Sequence, residues 1–351
     1  MAKASKSPAP RGKTGARPGR AKAAKPPVQQ VASADEDKGP AGATQPMVEA
    51  VRQAAKRRRS LRDTLAPGQD NRLAVVALAR ALAEFPDIVV HKHPFFGRMR
   101  IDLSEVVSQE IYLYDWFEED LTHFFLQALR PGDTFYDVGA HLGYFSLLAS
   151  RCVGPRGQVI AFEPAPRTFQ HLLGPNIEPL ANVRRHRWAV WKEAASLTFR
   201  DYGRTHSAYN TLGEPKIAPL QASRLTATEI EVKAVALDAL PRKAPPPDVV
   251  KVDVESAELQ VLQGMSGILA EQKPVVTLEM GDQGGAEQGL SPTSAEVLAA
   301  IEAADYELYE PRDGQLIAHA IQSEPYAYMN MVCLPKEGHL RQRLQALIKT
   351  T

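Results

Sequence analysis

The apolar residues of the chain change their spacing several times between residues 134 and 163. A short apolar run at 135–138 is typical of a parallel strand buried on both faces, and it ends in a loop with two glycines. Residues 144–150 then have helical spacing, and a second apolar run closes at Glu163. This order of strand, glycine loop, helix and strand predicts the first crossover of a doubly wound, nucleotide-binding α/β fold.

The apolar runs farther along the chain extend this pattern into a whole sheet. Five further strands are predicted from their apolar character and flanking turn residues, at 183–190, 248–255, 273–280, 306–310 and 329–334. Helices are expected between them at 168–173, 259–264 and 294–304. Shorter strands at 197–199 and 230–237 flank a polar excursion on the binding edge at 204–228. Together these runs predict a seven-stranded α/β sheet with helices on both faces.

The loop of the crossover carries a charge that is unusual for a dinucleotide site. Its spacing is D-x-G-x-x-x-G, with Asp137 before Gly139 and Gly143, rather than G-x-G-x-x-G. A carboxylate at this place repels phosphate and suits a cation, and the sulfonium and amino group of S-adenosylmethionine are cationic. The glycines, with Ala140 between them, let the backbone approach a ligand. Glu163 is placed to accept hydrogen bonds from ribose hydroxyls, so the loop predicts a ribose-bearing, phosphate-free cofactor.

The predicted third strand ends near Trp188 and Ala189. In a doubly wound sheet, ligands lie outside the carboxyl ends of the strands, so we expect both residues near the adenine ring. Packing in the core is the alternative explanation for the Trp188 side chain.

The Val-rich strand at 248–255 ends abruptly in charged residues. Lys251, Asp253 and Glu255 are spaced by two and are therefore expected on one face of that strand. Because the strand is expected beside the first one, Asp253 and Glu255 should emerge near Asp137 and the cofactor. A carboxylate there can accept a proton from a substrate hydroxyl or hold the substrate by hydrogen bonds, so both are candidate catalytic residues.

Two further side chains have open alternatives. His141 lies in the glycine loop, and because histidine is the commonest general base, it is either another base or a hydrogen-bonding strut. Glu279, near the end of the strand at 273–280, either completes a carboxylate cluster around the cleft or faces solvent. A cluster of like charges would raise the pKa of at least one of its carboxyl groups.

Three blocks of the sequence resemble the signature blocks of FkbM-type S-adenosylmethionine-dependent methyltransferases. They are DVGAHLGYFS (137–146), FEPAP (162–166) and KVDVESAELQVLQG (251–264). The resemblance covers roughly residues 121–334. Two positions depart from the family pattern, since that family more often has Asn at the place of His141 and Gly at the place of Ser256.

The resemblance implies a Rossmann-like class I methyltransferase sheet whose seventh strand is antiparallel, with S-adenosylmethionine as the cofactor. It also implies methyl transfer to an oxygen of a small molecule or a sugar hydroxyl. The alternative from another class is a non-catalytic module that binds S-adenosylmethionine, another nucleotide or a protein. Convergence of Asp137, Glu163, Asp253 and Glu255 on one cleft favours the enzyme, because a scaffold does not need these charges.

Composition places the chain among proteins without a membrane span. Its 351 residues are 44% hydrophobic, and no apolar run approaches the roughly 18 residues that a transmembrane helix needs. The N-terminus lacks the apolar core of a signal peptide, so a cytoplasmic location is expected. Cys152 and Cys333 lie far apart and without partners at metal-ligand spacing, so neither a disulfide scaffold nor a metal site is expected.

The charge of the chain is unevenly distributed. The formal net charge is +1, but the first 28 residues carry eight Lys or Arg and no acid, which leaves the remainder near −7. Residues 1–46 are basic and rich in Ala, Pro and Lys, and we expect them to be disordered. Only this tail is expected to be able to contact nucleic acid. Such binding is not favoured, because no aromatic residue lies among its charges to stack on bases.

The remaining boundaries follow from these patterns. Residues 47–120 are expected to form helices and, at 88–101, a strand pair. The aromatic-rich helical segment at 111–129 either packs on the core or covers the cleft as a substrate lid. The methyltransferase domain is expected at 121–338, and a short basic helix or tail at 339–351. The pattern gives no indication of the oligomeric state.

Overall fold

The computed structural model describes residues 88–213, 224–241, 243–282 and 292–349. The expected basic tail at 1–46 and the helices expected at 47–66 and 71–85 lie outside the described residues. No helix in the described part of the chain has both the length and the apolar character needed to cross a membrane.

The strands are β1 (Ile88–His93), β2 (Gly97–Asp102), β3 (Thr134–Val138), β4 (Gln158–Phe162), β5 (Val183–His186), β6 (Ala189–Val190), β7 (Ala195–Asp201), β8 (Thr228–Val235), β9 (Val249–Val252), β10 (Val275–Met280), β11 (Tyr306–Arg312), β12 (Gln315–Ala318) and β13 (Met329–Pro335).

The helices are α1 (Val106–Tyr114), α2 (Glu119–Ala128), α3 (Tyr144–Val153), α4, α5 (Glu258–Gln263), α6 (Ser266–Glu271), α7 (Ser294–Glu302) and α8 (His339–Leu344). Helix α4 consists of three consecutive segments, Pro166–Thr168, a π-helical turn at Phe169–Leu173, and Gly174–Ile177. Short 3-10 turns occur at Ser207–Tyr209, Leu237–Ala239 and Gln345–Leu347.

The main sheet has the strand order β12-β11-β13-β10-β9-β3-β4-β5. Strands β5, β4, β3, β9 and β10 are mutually parallel, and β13 is antiparallel to both β10 and β11. Chain order reverses at β3, which has β4 on one side and β9 on the other, so ligands are expected outside its carboxyl end. The prediction of a doubly wound, Rossmann-like sheet with an antiparallel seventh strand is confirmed.

The expected number of seven strands is wrong by one. The Asp313–Gly314 turn, which follows the predicted sixth strand, closes a hairpin between β11 and an additional strand, β12. Strand β12 has only four residues and pairs with β11 at the edge of the sheet. So short a segment carries too little apolar periodicity to be distinguished from a loop.

The single strand expected at 183–190 is also wrong, because the chain changes sheets within it. Strand β5 ends at His186 on the edge of the main sheet, and Ala189 and Val190 pair instead with β8. The resulting three-stranded sheet has the order β6-β8-β7 and contains the two strands expected around the polar excursion. Its residues Ala189, Phe199, Val232 and Ala234 pack in a small apolar cluster with Ala165, which precedes α4.

Helices cover both faces of the main sheet, as predicted. Phe135 and Val249 pack in one cluster with residues of α2 and α3, and their neighbours Tyr136 and Val250 pack in another with residues of α5 and α7. This division follows from the alternation of side chains along each strand. The carboxyl ends of the strands remain uncovered by either layer.

The N-terminal elements form an appendage at these ends. Strands β1 and β2 are the predicted antiparallel pair. The helical segment expected at 111–129 is divided into α1 and α2, since Asp115 and Glu118 both have a left-handed backbone, with φ of 64° and 45°. The break lets the chain turn at the mouth of the cleft instead of continuing past it.

Gly139 fixes the approach of β3 to the segment that follows β9. Its φ is 79°, and a Cβ built on it would lie 1.7 Å from the carbonyl oxygen of Asp253. Gly97 has nearly the same φ, 76°, but a Cβ there has nothing within 4 Å. The two glycines therefore share the cost of a left-handed backbone and differ in the space around them.

We expect Gly139→Ala to lower the free energy of unfolding by roughly 3 kcal/mol or more, since it adds a clash with backbone to the φ cost. Gly97→Ala should lower it by only about 1 kcal/mol. Urea unfolding of both variants and the wild type measures the difference. Equal decreases in the free energy of unfolding of the two variants would show that the clash with the Asp253 carbonyl adds no cost.

Candidate active site

A cavity of about 580 Å³ opens at the carboxyl ends of the central strands. This volume is within the range of small-molecule and cofactor sites. Residues that follow β3, β4 and β9 form its floor, and residues of α1, the α1–α2 connection and the 3-10 turn at Ser207–Tyr209 form its walls. The polar excursion and the candidate lid segment thus contribute to the same cavity as the glycine loop.

The structure gathers most of the sequence-predicted site residues around this cavity. Those that line it are Gly139, Ala140, His141, Glu163, Trp188, Ala189, Asp253 and Glu255. Asp137 and Gly143 are not among its lining residues. The eight lining residues come from four separate segments of the chain, which only the sheet topology brings together.

Asp137 lies at the end of β3 and is fully buried. Its Oδ2 accepts a hydrogen bond of 2.6 Å from the Ser146 hydroxyl, and its Oδ1 is 3.9 Å from Nζ of Lys251. Burial raises the pKa of Asp137, an effect that the Lys251 charge opposes. Asp137 therefore contacts Lys251 and the start of α3. It does not line the cavity.

Gly143 begins α3 with a left-handed backbone, at φ 92°. A Cβ there would lie 2.8 Å from Cδ1 of Leu173 in α4. The second glycine of the loop therefore serves the packing of α3 against α4, whereas Gly139 is at the cavity itself.

Glu163 follows β4 and is held by two backbone amides. The N–H of His141 donates to its Oε2 and the N–H of Ala165 to its Oε1, both at 2.9 Å. Burial raises the pKa of Glu163, and these amides together with His141 act in the opposite direction. A carboxylate has about four lone-pair sites, so each oxygen keeps one for a ligand in the cavity.

His141 has a left-handed backbone, with φ 49°, and its ring reaches across the cavity wall. Its Nε2 is 3.0 Å from Oγ of Ser207, in the 3-10 turn that follows β7. The backbone N–H of the same residue donates to Glu163. His141 thus connects the glycine loop, the acid after β4 and the polar excursion, which is the contact expected of a strut.

Trp188 lies in the two-residue link between β5 and β6. Its ring stacks on His186, with centroids 4.3 Å apart, and Nζ of Lys233 is 4.3 Å from the ring centroid. These contacts with protein leave the ring half-buried at the cavity edge, next to Ala189. The link between the two sheets therefore forms the wall expected to border an adenine ring.

The charged residues after β9 do not continue the strand as expected. Strand β9 ends at Val252, and Glu255 and Ser256 have left-handed backbones, with φ of 48° and 70°. The strand alternation ends at Val252 and does not reach Glu255, so the expectation that Glu255 shares a strand face with Lys251 and Asp253 is wrong, whereas Lys251 and Asp253 do contact each other. Asp253 and Glu255 still line the cavity, and the backbone carbonyl of Glu255 accepts a hydrogen bond from the Thr211 hydroxyl.

Lys251 is the buried centre of the charged floor. Its Nζ donates to Oδ2 of Asp253 at 2.8 Å, is 3.9 Å from Oδ1 of Asp137, and lies 5.1 Å from the centroid of the Phe145 ring. Burial alone would lower the pKa of Lys251, but Asp253, Asp137 and Glu118 raise it above its ordinary value. Lys251 therefore stays protonated, and its charge is paired with carboxylates of the protein.

Glu279 also lines the cavity, although it was open whether this acid faces solvent. It lies within β10, only 3% exposed, and its Oε1 accepts a hydrogen bond from the Tyr328 hydroxyl. Glu279 thus belongs to the carboxylate cluster that the sequence suggested, on the β10 side of Lys251.

Glu118 is a cavity residue that the sequence pattern does not predict. This residue precedes α2 and lines the cavity, and each of its carboxylate oxygens exposes less than 1 Å². Burial, with the charge of Asp253, raises the pKa of Glu118 to about 7, while Lys251 acts against the rise. Glu118 is the first of three consecutive acids, which are ordinary in the first turn of a helix, so no local signal marks it.

The part of the chain that builds this cavity matches known proteins. The Methyltransferase FkbM domain matches residues 137–308. The hexuronic acid methyltransferase AglP of Haloferax volcanii is 28% identical over 156 residues, which are 43% of this chain and 58% of that protein. Methyltransferase 1 of Beauveria bassiana is 28% identical over 149 residues, 38% of this chain and 59% of that protein.

A third relative decides the family. The 31-O-demethyl-FK506 methyltransferase FkbM of Streptomyces tacrolimicus is 31% identical over 180 residues, 45% of this chain and 69% of that protein. The chain belongs to the FkbM methyltransferase family. It spans about three fifths of the length of the Haloferax and Beauveria relatives. The resemblance read from the three sequence blocks is confirmed.

One of the two departures from the FkbM family pattern places a side chain at a position with a left-handed backbone. Ser256 occupies a position where φ is 70°, in the left-handed region that glycine adopts without strain. The glycine more often found there in FkbM proteins suits this turn, which carries the chain from the charged floor into α5. The serine of this chain keeps the same turn at a local conformational cost.

The raised pKa of Glu118 predicts a pH-dependent stability difference in this FkbM-family chain. A carboxyl whose pKa is higher in the folded state stabilises that state below its ordinary pKa of 4.5, and this contribution is lost as the pH rises through about 7. Relative to Glu118→Gln, the wild type should lose on the order of 2 kcal/mol between these pH values.

Urea unfolding of the wild type and Glu118→Gln across this pH range measures the difference. A difference that does not vary with pH would contradict a raised pKa at Glu118.

Proposed function

We propose that the chain binds S-adenosylmethionine and transfers its methyl group to a hydroxyl oxygen of a small molecule or saccharide. The observation that carries the proposal is the pairing, within one cavity, of the doubly anchored Glu163 with the carboxylates around Lys251. The two groups lie on opposite sides of β3, after β4 and after β9.

Glu163 supports the ribose end of the cofactor. Backbone amides hold both of its oxygens in place, and each oxygen retains a lone pair for one of two neighbouring hydroxyls. The wall formed by Trp188 and Ala189 borders the same end, where it would enclose the adenine. Gly139 and Ala140 offer backbone without a bulky side chain between the two ends of the cavity.

The charge of the cavity supports a cationic cofactor without phosphate. Six of its described lining residues are carboxylic acids: Glu110, Glu118, Glu163, Asp253, Glu255 and Glu279. The basic side chains among those lining residues are Lys251 and His141, and Lys251 is bonded to Asp253. Such a surface attracts the sulfonium and amino group of S-adenosylmethionine and repels a pyrophosphate.

In this reaction the protein mainly aligns the acceptor oxygen with the methyl carbon and the sulfur of the cofactor. S-adenosylmethionine would supply an electrophilic methyl carbon, whose bond to sulfur breaks as a bond to the acceptor oxygen forms. The hydroxyl proton of the acceptor passes to a base, so the products are a methyl ether, S-adenosylhomocysteine and a protonated base. Asp253 and Glu255 are the candidate groups that contact the acceptor, and His141 is the alternative base.

The relatives support the acceptor class. The Haloferax protein is named a hexuronic acid methyltransferase and the Streptomyces protein a 31-O-demethyl-FK506 methyltransferase. A saccharide or another small hydroxyl compound is accordingly proposed as the acceptor of this chain.

Calorimetric titration with S-adenosylmethionine and S-adenosylhomocysteine tests the cofactor. The wild type should bind both with micromolar affinity, and Glu163→Ala should weaken each by about tenfold or more, since buried hydrogen bonds to two hydroxyls are lost. Glu178→Ala, which removes an exposed acid away from the cavity, is the matched control and should bind as the wild type does.

Thermal unfolding without ligand establishes whether Glu163→Ala is folded. If the wild type binds neither compound, the proposed function is wrong. Unchanged affinity in a folded Glu163→Ala protein would remove Glu163 from the ribose site.

A further inference from the structure

Glu118 occupies an unusual position for an acid that precedes a helix. An acidic residue there commonly accepts hydrogen bonds from the first backbone amides of the helix. The Glu118 side chain makes no such bond to α2, and its backbone has φ 45°. The side chain instead lines the cavity, on the wall formed by the α1–α2 connection.

The carboxylate of Glu118 is buried and has few donors around it. Each oxygen exposes less than 1 Å², and neither makes a hydrogen bond of good geometry to a described residue. The Asn330 and Glu279 side chains are close enough to lower the pKa of Glu118 by hydrogen bonding, and Asp253 and Lys251 act on it through their charges. A carboxylate has about four lone-pair sites, which these neighbours do not fill, so Glu118 has room for a further donor from a ligand in the cavity.

Lys251 does not supply that donor. Its ammonium group bonds to Asp253 at 2.8 Å and lies 3.9 Å from Asp137. The other basic residue among the described lining residues, His141, contacts Ser207 on the Glu163 side of the cavity. The β10 side of the cavity therefore presents Glu118, Asp253 and Glu279 to a ligand.

We propose that Glu118 accepts a hydrogen bond from a hydroxyl group of the methyl acceptor, and that it selects an uncharged sugar over a sugar acid. A neutral hydroxyl satisfies the buried carboxylate, whereas a second carboxylate would add like charge beside Glu118, Asp253 and Glu279. This specificity differs from that in the name of the hexuronic acid methyltransferase of Haloferax volcanii. The inference rests on the proposed function, because it assigns the acceptor end of the same cavity.

A matched pair of sugars tests the inference. Methyl glucoside and methyl glucuronoside differ only in a hydroxymethyl group and a carboxylate. Their affinities for the full chain saturated with S-adenosylhomocysteine are measured by ligand-observed NMR titration at millimolar concentrations and pH 8. Burial and Asp253 raise the pKa of Glu118 to about 7, so its carboxyl group is mostly ionised at this pH.

We expect the wild type to bind methyl glucoside about tenfold more tightly than methyl glucuronoside. Glu118→Gln should bring the two affinities close together, because the amide removes the negative charge and offers a donor to a carboxylate. Glu119→Gln is the control, since Glu119 is the next acid along the chain and does not line the cavity. It should keep the preference of the wild type.

Three results would overturn the inference: equal or tighter binding of the glucuronoside, no binding of either sugar, or an unchanged preference in Glu118→Gln. The binding of S-adenosylhomocysteine separates these from a failure of the proposed function. If the wild type binds no S-adenosylhomocysteine, the cofactor assignment fails. If both it and Glu118→Gln bind S-adenosylhomocysteine while the sugar preference is absent, only the acceptor assignment fails.

Discussion

The buried ammonium group of Lys251 is the interaction on which the cavity floor depends. Lys251 lies directly opposite Asp137 in the register of two neighbouring parallel strands, and it also bonds to Asp253 beyond the end of its own strand. A lysine alone at this depth would be costly to bury in its charged form, and so would either aspartate. Their mutual attraction opposes the cost of burying these charges and joins the ends of β3 and β9.

This arrangement explains the polarity of the cavity around it. Lys251 is turned to Asp137 and Asp253, and the outer acids Glu118 and Glu279 line the cavity on the β10 side, where burial and the charge of Asp253 raise the pKa of Glu118. On the other side of β3, Glu163 is held by backbone amides, which carry no formal charge. One end of the site is thus built from fixed dipoles and the other from a crowded set of carboxylates, and ligands of different character suit each end.

The sequence predicted those parts of the site whose signals are local. The glycine loop, Glu163 and the acids after β9 follow apolar strands, so their place at the sheet edge follows from the order of elements. The roles of Asp137 and Gly143 depend on Ser146 and Leu173, which periodicity does not bring into contact. Glu118 lies far from β9 along the chain and reaches Lys251 only through the broken α1–α2 helix, which reads as continuous in the sequence.

The three-stranded sheet is tied to the cavity through its interior. It leaves the main sheet at the link after β5 and returns before β9. Its apolar cluster includes Ala165, whose backbone N–H donates to Glu163, and Ser207 after β7 contacts His141. A substitution in the core of this small sheet therefore acts on the acid after β4 and on the glycine loop, so the sheet is a support of the cavity rather than an independent surface unit.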